Sequence, residues 1–97
     1  MTEQPAKKEI KINFPDALKA GVYANNMFVT HTKDEVILDF MMITPPMGTV
    51  TARVITSPGH LKRMVAALTD NLAKYEKKFG KLTQAAEPSK SSIGFHP

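Results

Sequence analysis

At Ser57-Pro58 the apolar pattern of this chain changes period. Upstream, apolar and polar residues alternate. Downstream, Leu61, Met64, Val65, Leu68, Leu72, Tyr75 and Phe79 recur at offsets of 0, 3, 4, 7, 11, 14 and 18. On a wheel of about 3.6 residues per turn these seven fall in one stripe about 100° wide. A period of two belongs to strands and this spacing to a helix. Ser57 suits the N-cap and Pro58 the first helical position. Gly80 suits the C-cap, and Lys77 and Lys78 complement the negative end of the helix dipole. The helix should therefore span about 22 residues and about 33 Å.

The alternating part divides into four expected strands. Glu9 to Phe14 places Ile10, Ile12 and Phe14 on one face and Lys11 and Asn13 on the other. Pro15 and Asp16 end it, and Ala17 to Gly21 is a linker with room for one helical turn. Val22 to Thr32 and Val36 to Ile43 are the second and third strands, joined by a tight hairpin at Thr32-Lys33-Asp34-Glu35. Thr44 to Gly48 contains two prolines and is read as a break. Thr49 to Thr56, rich in β-branched residues, is the fourth strand. The expected fold is α+β, a four-stranded antiparallel β-sheet followed by one long C-terminal α-helix (ββββα). Residues 9–80 form the single domain, with flexible tails at 1–8 and 81–97.

A two-residue turn at Lys33-Asp34 sets Val29 opposite Leu38, Met27 opposite Phe40 and Phe28 opposite Asp39. Both sheet faces then carry mainly apolar side chains, whereas a solvated antiparallel face should be polar. One helix covers one face at most. Either the helix crosses the sheet diagonally and is fully covered, or its Leu72, Tyr75 and Phe79 end overhangs. Met27 and Met41 add deformable apolar surface that suits a core or an interface. Asp39 stands inside Ile37-Leu38-Asp39-Phe40-Met41, where a lone buried carboxylate would be costly. Arg53 is its natural cross-strand partner in a structural ion pair.

Size and charge narrow the function. A folding unit of about 72 residues is marginal alone, which favours a homodimer or higher homo-oligomer. The 97-residue chain has no cysteine, so disulfides, thiolate metal sites and cysteine nucleophiles are excluded. No apolar run approaches the roughly 18 residues of a membrane span, and residues 1–5 lack a secretory signal, so a cytoplasmic protein without membrane partners is expected. There is no glycine-rich nucleotide loop and no zinc-protease motif, and His31, His60 and His96 share no ligand spacing. No catalytic residue, metal or cofactor is expected. The formal charge of +4 resides on the helix and the two ends. Residues 9–57 are net −1 and residues 58–80 net +3. Lys62, Arg63, Lys74, Lys77 and Lys78 form either a solvated helix face or a phosphate-contacting one. Tyr23 and Asn25 are the candidate base contacts.

The ordered set Gly21-Val22-Tyr23-Ala24-Asn25, Leu38-Asp39-Phe40, Ala52-Arg53-Val54, Ser57-Pro58 with His60 and Lys62-Arg63, and Tyr75-Glu76 with Phe79-Gly80 resembles the small prokaryotic family called domain of unknown function 3467. The resemblance runs from about Phe14 to Gly80. It implies a compact prokaryotic protein with flexible ends and brings no activity, ligand or partner. It directs attention to Tyr23, Asn25, Asp39, Arg53, His60, Lys62 and Arg63. The leading functional expectation is a non-enzymatic, self-associating protein-interaction module of assembly or chaperone-like type. Its interface residues would be Met27, Met41, Leu72, Tyr75 and Phe79. A protein partner of unspecified identity goes with it. The alternative is a nucleic-acid-binding protein using the basic face of the helix.

Overall fold

A computed structural model of the chain describes residues 8–88 and Gly94. The expected tails at 1–8 and 81–97 fall largely outside the described residues. A short 3-10 turn at Asp16–Leu18 precedes three strands, β1 (Asn26–His31), β2 (Val36–Thr44) and β3 (Met47–Thr56), and one helix, α1 (Pro58–Phe79). The sheet is antiparallel in the order β1-β2-β3. The architecture is α+β, with the sheet followed by a C-terminal helix.

The β1–β2 hairpin turns on Lys33-Asp34. Thr32 N–H donates to the Glu35 carbonyl at 2.9 Å. The Thr32 hydroxyl oxygen accepts from the N–H groups of Asp34 (3.3 Å) and Glu35 (3.1 Å), closing the turn. Register follows directly. Met27 faces Phe40, Phe28 faces Asp39 and Val29 faces Leu38. The β2–β3 connection is tighter than expected. Thr44 pairs with Met47, leaving only the cis Pro45-Pro46 pair in the turn. Two prolines are tolerated there because a turn needs no ladder N–H from either. Thr44, Met47 and Gly48, expected in a break, thus belong to strands. The ladder slips between Phe40 and Met41, where Ala52 and Val50 are the partners and Thr51 is extra. The Thr51 hydroxyl donates to the Phe40 carbonyl at 3.2 Å.

The expectation of four strands is corrected to three. Residues 9–14 lie outside the sheet, with Ile10 82 % and Ile12 85 % exposed. Alternation prepares a segment for one face of a sheet, but a strand exists only where another strand's edge receives its backbone bonds. One copy provides no such pairing for this segment. The second expected strand likewise begins at Asn26 and not at Val22.

The helix matches its sequence signals. Ser57 Oγ accepts from His60 N–H at 3.1 Å, and Pro58 occupies the first turn. At the other end Gly80 adopts φ 96°, a region glycine enters without strain, and donates to the Glu76 carbonyl at 2.8 Å. The fully covered, diagonal placement of the helix does not hold, because α1 contains no buried residue, and its Leu72, Tyr75 and Phe79 end is exposed. Only Leu61 and Met64 of its stripe are half-buried. Val65, Leu68, Leu72, Tyr75 and Phe79 are exposed. The extensive packing is that of β1 on β2 and of β2 on β3.

Among the described residues the buried ones are Val36, Leu38, Asp39, Met41 and Ile43, all on β2. Val36 and Leu38 share one face. Asp39, Met41 and Ile43 share the other. Each sheet face is therefore deeply covered over only part of its length. On the flanking strands Met27, Phe28, Val29, Val50, Val54 and Ile55 remain exposed.

Candidate functional site

Three side-chain groupings stand out. The first crosses the sheet along the row Phe28, Asp39, Arg53. Asp39 is 4 % exposed on the central strand, so its carboxylate needs a partner. Arg53 provides one side-on, with Nε donating to Oδ1 at 2.6 Å and a terminal nitrogen donating to Oδ2 at 2.9 Å. This is the two-bond fork that only arginine offers a carboxylate. The guanidinium's hydrogen bonds and charge hold the Asp39 carboxyl below its ordinary range against the opposing effect of burial. The Arg53 pKa is raised by the same contacts. Both carboxylate oxygens are engaged by one permanent cation, so the pair ties β2 to β3 and supplies no general acid or base.

The second grouping is the entry to β1. Asn25 N–H donates to the Met41 carbonyl at 2.9 Å. The Asn25 side-chain amide donates to the Ile43 carbonyl (2.9 Å) and its oxygen accepts from Ile43 N–H (2.8 Å). An asparagine amide has the same donor and acceptor as a peptide unit, so Asn25 extends the β1–β2 ladder by one rung. Its neighbour Tyr23 is exposed. The candidate base contacts are thus unlike. Asn25 is committed to the backbone of β2, whereas the Tyr23 ring faces solvent. Sequence reasoning did not anticipate the Asn25 clamp, because the group it binds lies 18 residues away.

The third grouping is the uncovered side of α1. Tyr75 and Phe79 stack at 4.9 Å between ring centroids, tilted by 47°. Lys78 Nζ lies 5.3 Å from the Phe79 centroid, within cation–π range. Glu76 Oε2 accepts from Leu82 N–H at 2.9 Å and turns the following segment back beside Leu72. Leu72, Glu76 and residues 82–85 border a shallow, mainly apolar groove there. Among the interface candidates, Met27 is exposed on β1 and Leu72, Tyr75 and Phe79 are exposed on α1. Met41 is buried inside the sheet of one copy, so a flush partner could not reach it.

Arg63, Lys74 and Lys77 lie on the side of α1 opposite the apolar stripe, and Lys62 and Lys78 flank the stripe. Lys62, Arg63, Lys74, Lys77 and Lys78 are all exposed. Lys74 pairs with Asp70 at 3.0 Å, one helical turn away. His60 is engaged locally, its Nδ1 2.7 Å from the Thr56 hydroxyl. No group of three metal-binding side chains is found among the described residues. No described helix is long and apolar enough to cross a membrane.

Comparison with curated proteins and with solved structures returns no match. A family model does match, over residues 1–84, most of the chain. That span includes the Asp39–Arg53 pair, the Asn25 clamp and the whole of α1, so the chain belongs to the family described as "Protein of unknown function (DUF3467)".

Proposed function

We propose that this protein is a non-enzymatic interaction module that works as a self-associated homo-oligomer, with a dimer as the smallest unit. One observation carries the reading. Among the described residues of a single copy every buried side chain belongs to β2, while most of the apolar stripe of α1 and much of both sheet faces stay in water. Ordering some 70 residues costs about 1–2 kcal/mol each in backbone entropy. The four buried hydrophobic residues and one ion pair with a buried partner among the described residues fall short of that, which supports removal of further apolar surface from water by another chain. Residues 9–14 fit the same logic. Their alternation suits the fourth strand of the sheet, added along the outer edge of β3 of another copy.

The exposed cations on the opposite side of α1 favour a second reading, in which the oligomer binds nucleic acid there. That reading expects salt-sensitive oligonucleotide retardation, lost when Lys74, Lys77 and Lys78 are replaced by Glu.

The test of self-association is light scattering during gel filtration of the full chain across a dilution series. A mass at least twice the 10.7 kDa of one chain is expected, falling only on strong dilution. A well-folded species of single-chain mass at every concentration would overturn the proposal.

A further inference from the structure

The uncovered stripe of α1 has a finer pattern than amphipathicity alone. Leu61, Val65, Leu68, Leu72, Tyr75 and Phe79 are spaced 4, 3, 4, 3 and 4 residues apart. That is the unbroken seam of a coiled coil, a narrow stripe suited to another helix. From residue 69 onward the flanks are polar. Thr69 and Glu76 lie along one side and Asn71 and Lys78 along the other. A helix destined for a sheet would carry a wider apolar face. The seam runs for about 27 Å, and at its middle Leu68 is 67 % exposed.

We propose that α1 pairs with α1 of a second copy in an antiparallel coiled coil centred near Asp70, a geometry that rests on the self-association proposed above. In this register Leu61 meets the second copy's Phe79, Val65 meets its Tyr75, and Leu68 meets its Leu72, each contact occurring twice. Bulky residues face smaller ones, so the layers have similar volume. A parallel pairing would instead stack Phe79 on Phe79 and Tyr75 on Tyr75 and leave Val65 on Val65.

Charge points the same way. The antiparallel register brings Lys62 beside Glu76 of the other copy at both ends of the seam, two opposite-charge flanking pairs. The parallel register makes no such pair and gathers Lys74, Lys77 and Lys78 of both copies at one end. Glu76 is already held by one oxygen on Leu82 N–H, which leaves the other for a cation. The groove beside Leu72 and Leu82 then lies where Leu68 of the second copy arrives.

The chain has no cysteine of its own, so cross-linking reads the geometry cleanly. Leu61→Cys and Phe79→Cys proteins are made separately, then oxidised alone and after mixing under mild refolding, with gel-filtration mass followed in parallel. A cross-linked heterodimer in the mixture, with neither variant cross-linking alone, is the expected result. Cross-linking of each variant to itself would show parallel helices and overturn the proposal. A dimer mass without any cross-link would place the interface elsewhere, overturning the helix pairing while self-association stands. A single-chain mass for the unmutated protein would overturn both. Charge reversal on exposed positions gives a second readout that leaves the seam intact. Lys62→Glu should weaken the dimer about 5–30-fold, from two attractive flanking pairs turned repulsive. Adding Glu76→Lys should recover part of that loss. No recovery would also count against the antiparallel register.

Discussion

Replacing Leu68 by Ala separates what α1 needs as an isolated helix from what it needs as an interface. In one copy the Leu68 side chain is 67 % exposed, and Ala is at least as good a helix former. Truncation should therefore change the intrinsic stability of α1 as a helix by no more than about 0.5 kcal/mol. Full burial of a leucine side chain is worth about 1.5–3 kcal/mol. Two thirds of that remains to be gained on association, about 1–2 kcal/mol per side chain and about 2–4 kcal/mol for the two in a dimer. At about 1.4 kcal/mol per factor of ten, the dimer Kd should rise about 30- to 700-fold. Sedimentation equilibrium over a concentration series measures this, and melting at two concentrations checks it through mass action. Leu38→Ala is the contrasting control. Leu38 is buried within one copy, so its loss should cost about 2–5 kcal/mol per copy through the sheet and not through the α1 stripe. An unchanged Kd for Leu68→Ala would refute the argument that the stripe is a contact surface.

Three further perturbations probe contacts made within one copy. Ser57→Ala removes the acceptor for His60 N–H and should lower stability by about 1 kcal/mol in urea unfolding, with Ser57→Gly nearer the parent. Asn25→Ala leaves the Ile43 backbone groups without their side-chain partner, and should cost about 1–3 kcal/mol with faster amide exchange at Ile43. Asp39 gives a pH signature. Its folded pKa lies below the unfolded value of about 3.9, so its stabilisation is complete above that value and is lost as pH falls through the folded one. The difference in urea midpoint between the parent and Asp39→Asn should therefore be constant near neutrality and shrink below about pH 4. A difference that stays constant into strong acid would contradict the assigned ion pair.

Elements governed by neighbours along the chain are legible in the sequence alone. The helix from Pro58 to Phe79 rests on a period, a serine cap and a terminal glycine, all acting within a turn of their own position. The β1–β2 register rests on a two-residue turn, because a period of two leaves no freedom once the turn is placed. Asp39 and Arg53 are legible as a pair because each is the charged exception in an apolar strand. The Pro45-Pro46 turn shows the limit of such reading. Prolines mark a break plainly but do not say how few residues it needs.

Contacts between distant parts are decided only in three dimensions. Asn25 looks like a polar loop residue until the backbone of Ile43 is brought beside it, 18 residues on. Leu82 gives no sign in sequence that its N–H will meet Glu76. Residues 9–14 carry the pattern of a strand, but whether they form one depends on an edge elsewhere to receive their hydrogen bonds. The same holds for the α1 stripe, whose pattern states that it must be covered and leaves open by what. Local chemistry is enough for the helix, the hairpin and the ion pair, because their energies lie within a few residues or one cross-strand contact. Tertiary structure decides that the helix leaves its own sheet uncovered, because coverage is a property of the whole surface and not of any segment of the chain.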